Sequence, residues 1–236
     1  RDFCLSRGLG DVYKRQVTCG AFSDNVVAWL KVWRCGGMKT WKAIVSAVLV
    51  SVCLVACSEG DEDVSAGPDL TTAPEATWQD SSGVKRPEST SGHCPNKTGE
   101  FAVEHEQTPQ CAVIAAMSGQ VLLATTGDQE WPMMANSVLA AGPGKDQWVQ
   151  SRTLMSVSGR VADPARFVGF KFTDYSDEKA QVLLAVQWPD QKVTAQPVQL
   201  VWQNTAWRLV LPTQEEAVDA VELPNLDGFT SFGPGE

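Results

Sequence analysis

Thr108-Pro109-Gln110-Cys111-Ala112-Val113-Ile114-Ala115-Ala116-Met117-Ser118-Gly119-Gln120-Val121-Leu122 is the stretch on which the fold turns. Thr108 is a good N-cap, because its hydroxyl can accept from the N–H groups that a first helical turn leaves unpaired. Pro109 suits the first helical position, where its missing N–H costs nothing. Val113, Ile114, Met117, Val121 and Leu122 then recur at intervals of three and four on one stripe. Ala115, Ala116 and Ser118 leave another side slim enough for close packing. The spacing predicts a helix from Thr108-Pro109 that ends near Gly127.

Two further helices are expected downstream, over Trp131 to Ala140 and over Lys145 to Met155, separated by Ala141-Gly142-Pro143-Gly144. Met133, Met134, Val138 and Leu139 form the apolar stripe of the first, and Trp148, Val149, Arg152 and Met155 that of the second. The methionines are expected to fill gaps in the core. After Gly159 the period changes to that of strands. Val168, Phe170 and Phe172 alternate with Gly169 and Lys171, and Val182, Leu184, Val186 and Trp188 alternate with Gln181, Leu183, Ala185 and Gln187. A third strand is expected over Val193 to Gln203, with Pro197 marking an edge or a bulge, and a fourth over Trp207 to Leu211. Gln203-Asn204-Thr205 is a short hairpin connection between them. Three helices followed by an antiparallel meander predict an α+β domain over residues 93–212, with the helices on one face of a curved four-stranded antiparallel sheet.

On either side of this domain the composition changes. Residues 57–92 are rich in Asp, Glu, Ser, Thr, Gly and Pro, with Trp78 the single aromatic. Such a segment is expected to be a disordered tether, with a reach on the order of 30 Å. Residues 213–236 are expected to form a short helical turn followed by a loose acidic tail.

Upstream of the tether, Lys39 and Lys42 form a basic patch, Ala43 to Val55 is an uncharged apolar run, and Leu54-Val55-Ala56-Cys57 closes it. This is the pattern of an export signal, and the apolar run is shorter than the roughly twenty residues that a membrane-spanning helix needs. The segment 38–56 resembles a bacterial lipoprotein signal peptide, with Leu54, Val55 and Ala56 as the lipobox. That resemblance implies that Cys57 becomes the lipidated first residue of the mature chain, anchored to the outer face of the cell membrane, or to the outer membrane in a host with two. Residues 1–37 contain Cys4 to Gln16, CLSRGLGDVYKRQ, which resembles translated adapter sequence, and are expected to lie outside the mature protein.

From Cys57 onward the chain has 25 acidic and 11 basic residues, a net charge of about −14. That balance argues against nucleic-acid binding, which needs a basic patch to neutralise phosphates. Cys94 and Cys111 are the remaining cysteines of the mature chain and are expected to form a disulfide outside the cytoplasm. In the chain-entropy model such a bridge is worth roughly 3 kcal/mol. His93 and His105 lie in or beside the same loop but match no metal-ligand spacing.

The helix opening Thr108-Pro109-Gln110-Cys111-Ala112-Val113-Ile114-Ala115-Ala116 resembles the "TP-x-x-A-hydrophobic-x-A-A" helix of exported actinobacterial domains of unknown function, found beside mobile-element and conjugation genes. The ending Val198 to Pro212, VQLVWQNTAWRLVLP, is similar to that family's final hairpin. The resemblance implies a cone-shaped fold like that of nuclear transport factor two. In such a cone, Trp148, Phe170, Phe172, Trp188, Trp202 and Trp207 are the candidates to line a pocket for a small apolar ligand or lipid; otherwise they fill the core.

No G-x-S-x-G, H-E-x-x-H, P-loop or dinucleotide-binding fingerprint occurs. His105, in Glu104-His105-Glu106, reads as a solvated polar loop, and Asp174, Asp177 and Glu178 as a charged hairpin tip. The expectation is therefore a membrane-anchored, non-enzymatic lipoprotein without metal or cofactor. Its domain would contact a protein of the cell envelope, and the resemblance implies an accessory place in a conjugation or secretion apparatus. A ligand carrier is the alternative.

Overall fold

The computed structural model describes residues 67–90, Cys94 and residues 105–232. The described residues form three helices and eight strands: β1 (Ala76–Ser81), β2 (Val84–Ser89), α1 (Pro109–Thr125), α2 (Trp131–Val138), α3 (Pro143–Arg152), β3 (Arg166–Tyr175), β4 (Lys179–Gln187), β5 (Val193–Gln203), β6 (Ala206–Val210), β7 (Val221–Leu223) and β8 (Thr230–Ser231). The strands form two antiparallel sheets, the hairpin β1-β2 and a six-stranded sheet in the order β6-β5-β4-β3-β8, with β7 also paired to β5. Three helices on a four-stranded sheet is thus incorrect: strands outnumber helices, and a second sheet covers α1.

Helix α1 begins as its sequence dictates. The Thr108 side chain accepts from the Cys111 N–H at 3.2 Å, and Pro109 occupies the first turn. The helix is buried on nearly every side, from Cys111 through Gly119 and on to Val121. A helix apolar all round must be covered all round. Ser118 and Thr125, seven residues apart and so on one face, meet the hairpin: the Ser118 hydroxyl donates to Pro87 O at 3.0 Å, and the Thr125 hydroxyl lies 2.9 Å from that of Ser81. Gly119 instead faces β6 and α2. A Cβ there would stand 2.5 Å from Leu209 Cδ1 and 3.1 Å from Val138 Cγ1.

On its inner face the large sheet presents Phe172, Val182 and Val198 in one cross-strand row, with Phe170 opposite Leu184 and Leu200 opposite Leu209. The β5-β6 turn has Asn204 and Thr205 at φ 50° and 60°, the geometry of a two-residue hairpin turn whose twist matches the strands. Pro197 lies opposite Leu183 of β4. Along the other edge of β5, β7 pairs with Val193–Ala195 and β6 with Gln199–Gln203. Pro197 therefore falls in the interval where no ladder bond is asked of its nitrogen. The outer edge of β6 is closed too: Ala140 N–H donates to Leu209 O at 2.9 Å, and the Arg208 guanidinium reaches Asn136 O.

Two sequence expectations fail at the ends of the domain. Residues 67–90 are not wholly a disordered tether, because Ser82-Gly83, at φ 49° and 93°, turns β1 into β2. Trp78 packs against the core, with its ring 6.0 Å from Phe232. Nor is the C-terminal segment a loose tail. The turn at Thr213–Ala217 forms, but β7 and β8 follow and pair with opposite edges of the β5-β4-β3 core. The eight residues Leu223 to Thr230 must span about four strand spacings of roughly 4.8 Å each, so they run across the outer face as a strap.

A row of small residues lies beneath the strap: Gly169 opposite Ala185, and Ala185 opposite Ala195, with Ser231 and Val221 completing the row at its two ends. A Cβ on Gly169 would approach Thr230 O to 2.9 Å. Ala185 and Ala195 are buried although they face away from α1.

Two crowded helical glycines differ in what confronts them. At Gly144, in the first turn of α3, a Cβ would fall 1.8 Å from the backbone oxygen of Leu211, whereas at Gly119 it meets side-chain methyl groups. Gly119→Ala should cost roughly 1–3 kcal/mol, the usual range for overpacking, and Gly144→Ala more, since a backbone carbonyl cannot rotate aside. Urea unfolding of both variants checks that order.

Candidate functional site

One end of the domain is built around His105. Its N–H donates to Thr205 O at 2.9 Å, and its Nδ1 accepts from the Trp207 N–H at 3.1 Å. The neutral ring therefore carries its proton on Nε2. The residue is 8% exposed, so the sequence reading of a solvated polar loop is overturned. Burial pushes its pKa down to about 4, since a buried imidazolium would lose its hydration. Nε2 and the nearby Trp207 Nε1 are both buried, with no hydrogen-bond partner among the described residues. The adjoining backbone is tied down by Gln107 Nε2 donating to Asp177 O at 2.9 Å, Tyr175 Oη to Gln107 O at 3.1 Å, and Trp202 N–H to Glu178 O at 2.8 Å. Asp177 and Glu178 thus take part through their backbone oxygens.

An aromatic chain runs from this end across the inner face of the sheet. Trp202 meets Trp207 at 5.5 Å, Trp207 meets Tyr175 at 5.9 Å, and the series continues through Phe172, Phe170 and Phe232 to Trp78 on the hairpin. Most contacts are edge-to-face or tilted, the arrangement that ring quadrupoles favour. Cys94 and Cys111 are joined by a disulfide with 5.3 Å between their Cα atoms, and both are buried.

The opposite end is organised by Arg152, which is 1% exposed. Its Nη1 donates to Met155 O at 2.8 Å, and its Nη2 to Thr126 O at 3.1 Å and Asp128 Oδ1 at 2.9 Å. Its guanidinium carbon lies 5.6 Å from the centre of the Trp131 ring, which in turn packs against Trp148. Asp128 also accepts from Ser156 Oγ at 2.6 Å and the Val157 N–H at 2.9 Å. These donors, with Ser156 first, hold its pKa at about 2. The knot joins the α1-α2 loop to the segment after α3. The sequence shows no site here, because Arg152 reads as a member of an apolar stripe. An arginine on such a stripe, with Asp128 and Trp131 upstream, was the available signal.

The sequence candidates fall into separate places. Phe170, Phe172, Trp202 and Trp207 come together in the aromatic chain. Trp148 lies with Trp131 at the Arg152 end, and Trp188 sits at the β4-β5 turn, where its Nε1 donates to Thr194 Oγ1 at 2.9 Å. The six do not share one site, and those that meet pack on each other. Leu54, Val55, Ala56, Cys57 and His93 lie outside the described residues. Among the described residues no group of three or more His, Cys, Asp or Glu side chains could hold a metal ion.

Comparison with known families adds one observation: a family model matches residues 55–231. The chain belongs to that family, a domain of unknown function (DUF8175). The DUF8175 match takes in both β1-β2 and the strap, in keeping with their place in the fold. No curated protein and no solved structure matches the chain.

His105 gives the DUF8175 domain an acid limit. Its folded pKa, about 4, lies below the unfolded value of about 6.5, so the unfolded chain binds more protons between the two. Stability should be complete above about pH 6.5 and fall by on the order of 3 kcal/mol as pH drops to about 4. Urea midpoints measured across that window should show the decline, and His105→Gln should flatten it.

Proposed function

We propose that this chain is an exported lipoprotein, anchored through a lipidated Cys57, whose folded domain is a non-enzymatic protein-interaction module of the cell envelope. The observation that carries this is the run from Lys39 to Cys57, in which a basic patch, an uncharged apolar stretch and Leu54-Val55-Ala56-Cys57 follow in order. The Cys94–Cys111 disulfide supports it, because such bonds persist in oxidising compartments. The family match, beginning at residue 55, includes Cys57 in the shared segment. An accessory role in a conjugation or secretion apparatus follows from the resemblance of the Thr108–Ala116 helix to exported actinobacterial domains.

Expression from Met38 in a bacterium that processes lipoproteins, with an alkyne-bearing palmitate in the medium, tests the anchor. The wild-type chain should take up label and enter the detergent phase, and Cys57→Ser should lose at least nine-tenths of both. A wild-type chain without label, or a Cys57→Ser chain labelled as strongly, would end this reading.

A further inference from the structure

We propose that the His105 end of the domain is a site for neutral oxygen, from enclosed water or from the carbonyl or hydroxyl group of a small molecule, which accepts from His105 Nε2–H and Trp207 Nε1–H. Both nitrogens are buried and have no hydrogen-bond partner among the described residues, and the residues that carry them are 8% and 2% exposed. A buried N–H left unpaired bears the full cost of its lost hydration. The two donors stand on residues bonded to each other, since the Trp207 backbone N–H donates to His105 Nδ1 at 3.1 Å.

That bond also fixes which chemistry can answer them. Nδ1 gives its lone pair to the Trp207 amide, so Nε2 of the neutral ring carries the proton and has no lone pair to offer a metal ion or a donor group. Burial holds the ring's pKa down to about 4, so near neutral pH it remains an uncharged donor. The indole Nε1 can only donate. Each atom therefore calls for an acceptor. An apolar guest would leave both N–H groups unpaired, and an anion would exchange its hydration for two neutral donors. Enclosed water commonly meets such a demand.

The backbone oxygens that adjoin this end are already engaged. Thr205 O takes the His105 N–H, Gln107 O takes Tyr175 Oη, and Glu178 O takes the Trp202 N–H. Elsewhere the fold does supply an acceptor for an indole, as Trp188 Nε1 donates to Thr194 Oγ1 at 2.9 Å. Arg152 Nε is orphaned as well, but its guanidinium already donates to three oxygens. The approach to the His105 end is short. Trp202 and Tyr175, whose ring centres lie 5.5 and 5.9 Å from that of Trp207, are only partly buried. On that side the indole lies one ring from solvent.

A crystal structure of the full chain that resolves water, with a mass spectrum of what methanol extracts from the same protein, tests the site. Oxygen should lie about 3 Å from His105 Nε2 and from Trp207 Nε1. Isolated peaks of density and a blank extract assign water, whereas continuous density and an equimolar compound in the extract assign a carried molecule; either upholds the site. In solution, nitrogen shifts should place the imidazole proton on Nε2, and the Trp207 indole proton should resonate well downfield of an indole in hydrocarbon solvent. An unoccupied position at either nitrogen, an oxygen of the chain itself in either place, a proton on Nδ1, or an indole shift equal to that in hydrocarbon would overturn the proposal. None of these readouts depends on Cys57, so a chain that takes up no palmitate rejects the anchor alone.

Discussion

A helix with almost no face for water governs this structure. Along α1 the residues from Cys111 to Gly119 are all buried, so no single sheet can satisfy it. The large sheet covers one side, α2 and β6 crowd against Gly119, and the β1-β2 hairpin closes the remainder through Ser118 and Thr125. An isolated two-stranded hairpin is marginal in water. Here it gains a partner surface, and the helix gains its cover, so each requires the other. The disulfide reinforces the arrangement by fixing Cys111, in the first turn, to a residue upstream.

The readable parts of the chain were those whose signals are local. Thr108 and Pro109 announced the start of α1 through capping chemistry, and the alternation around Phe170, Val182, Leu184 and Leu200 announced the large sheet. What escaped were elements whose reason lies elsewhere in space. The hairpin carries Asp80, Lys85 and Arg86 among few apolar residues and reads as solvated chain, because only one face of it meets α1. The strap, LPNLDGFT over Leu223 to Thr230, has no regular alternation to announce it, and it is held by two short strands and by a floor of Gly169, Ala185 and Ala195. Those small residues looked like an unremarkable polar-side alternation in β3, β4 and β5. Only the register that aligns them across three strands gives them a purpose.

Of the site residues, the disulfide was legible from parity and the expected compartment: with Cys57 assigned to lipid by the lipobox resemblance, Cys94 and Cys111 are the pair left in an exported chain. The aromatic candidates were legible as a set but not as a place. Period and composition say that Phe170, Trp148 and Trp207 are buried, yet they cannot say that Trp148 lies at one end with Trp131 and Trp207 at the other with His105. Arg152 was hidden by its position on an apolar stripe, because sequence spacing records which way a side chain points and not what it finds there.

The two ends of α1 solve the burial of an ionisable group in opposite ways, and this divides the domain's response to acid. His105 stays neutral, giving its Nδ1 lone pair to the Trp207 N–H, and it resists protonation only until the pH nears 4. Arg152 stays charged, and three acceptors offset the loss of its hydration. Its carboxylate partner Asp128 holds a pKa of about 2 because Ser156, Val157 and Arg152 all donate to it. Between those values the His105 end loses its reason to stay closed while the Arg152 knot keeps every bond it has. Acid should therefore loosen the aromatic end first and leave the Arg152 knot, with the loops it joins, in place.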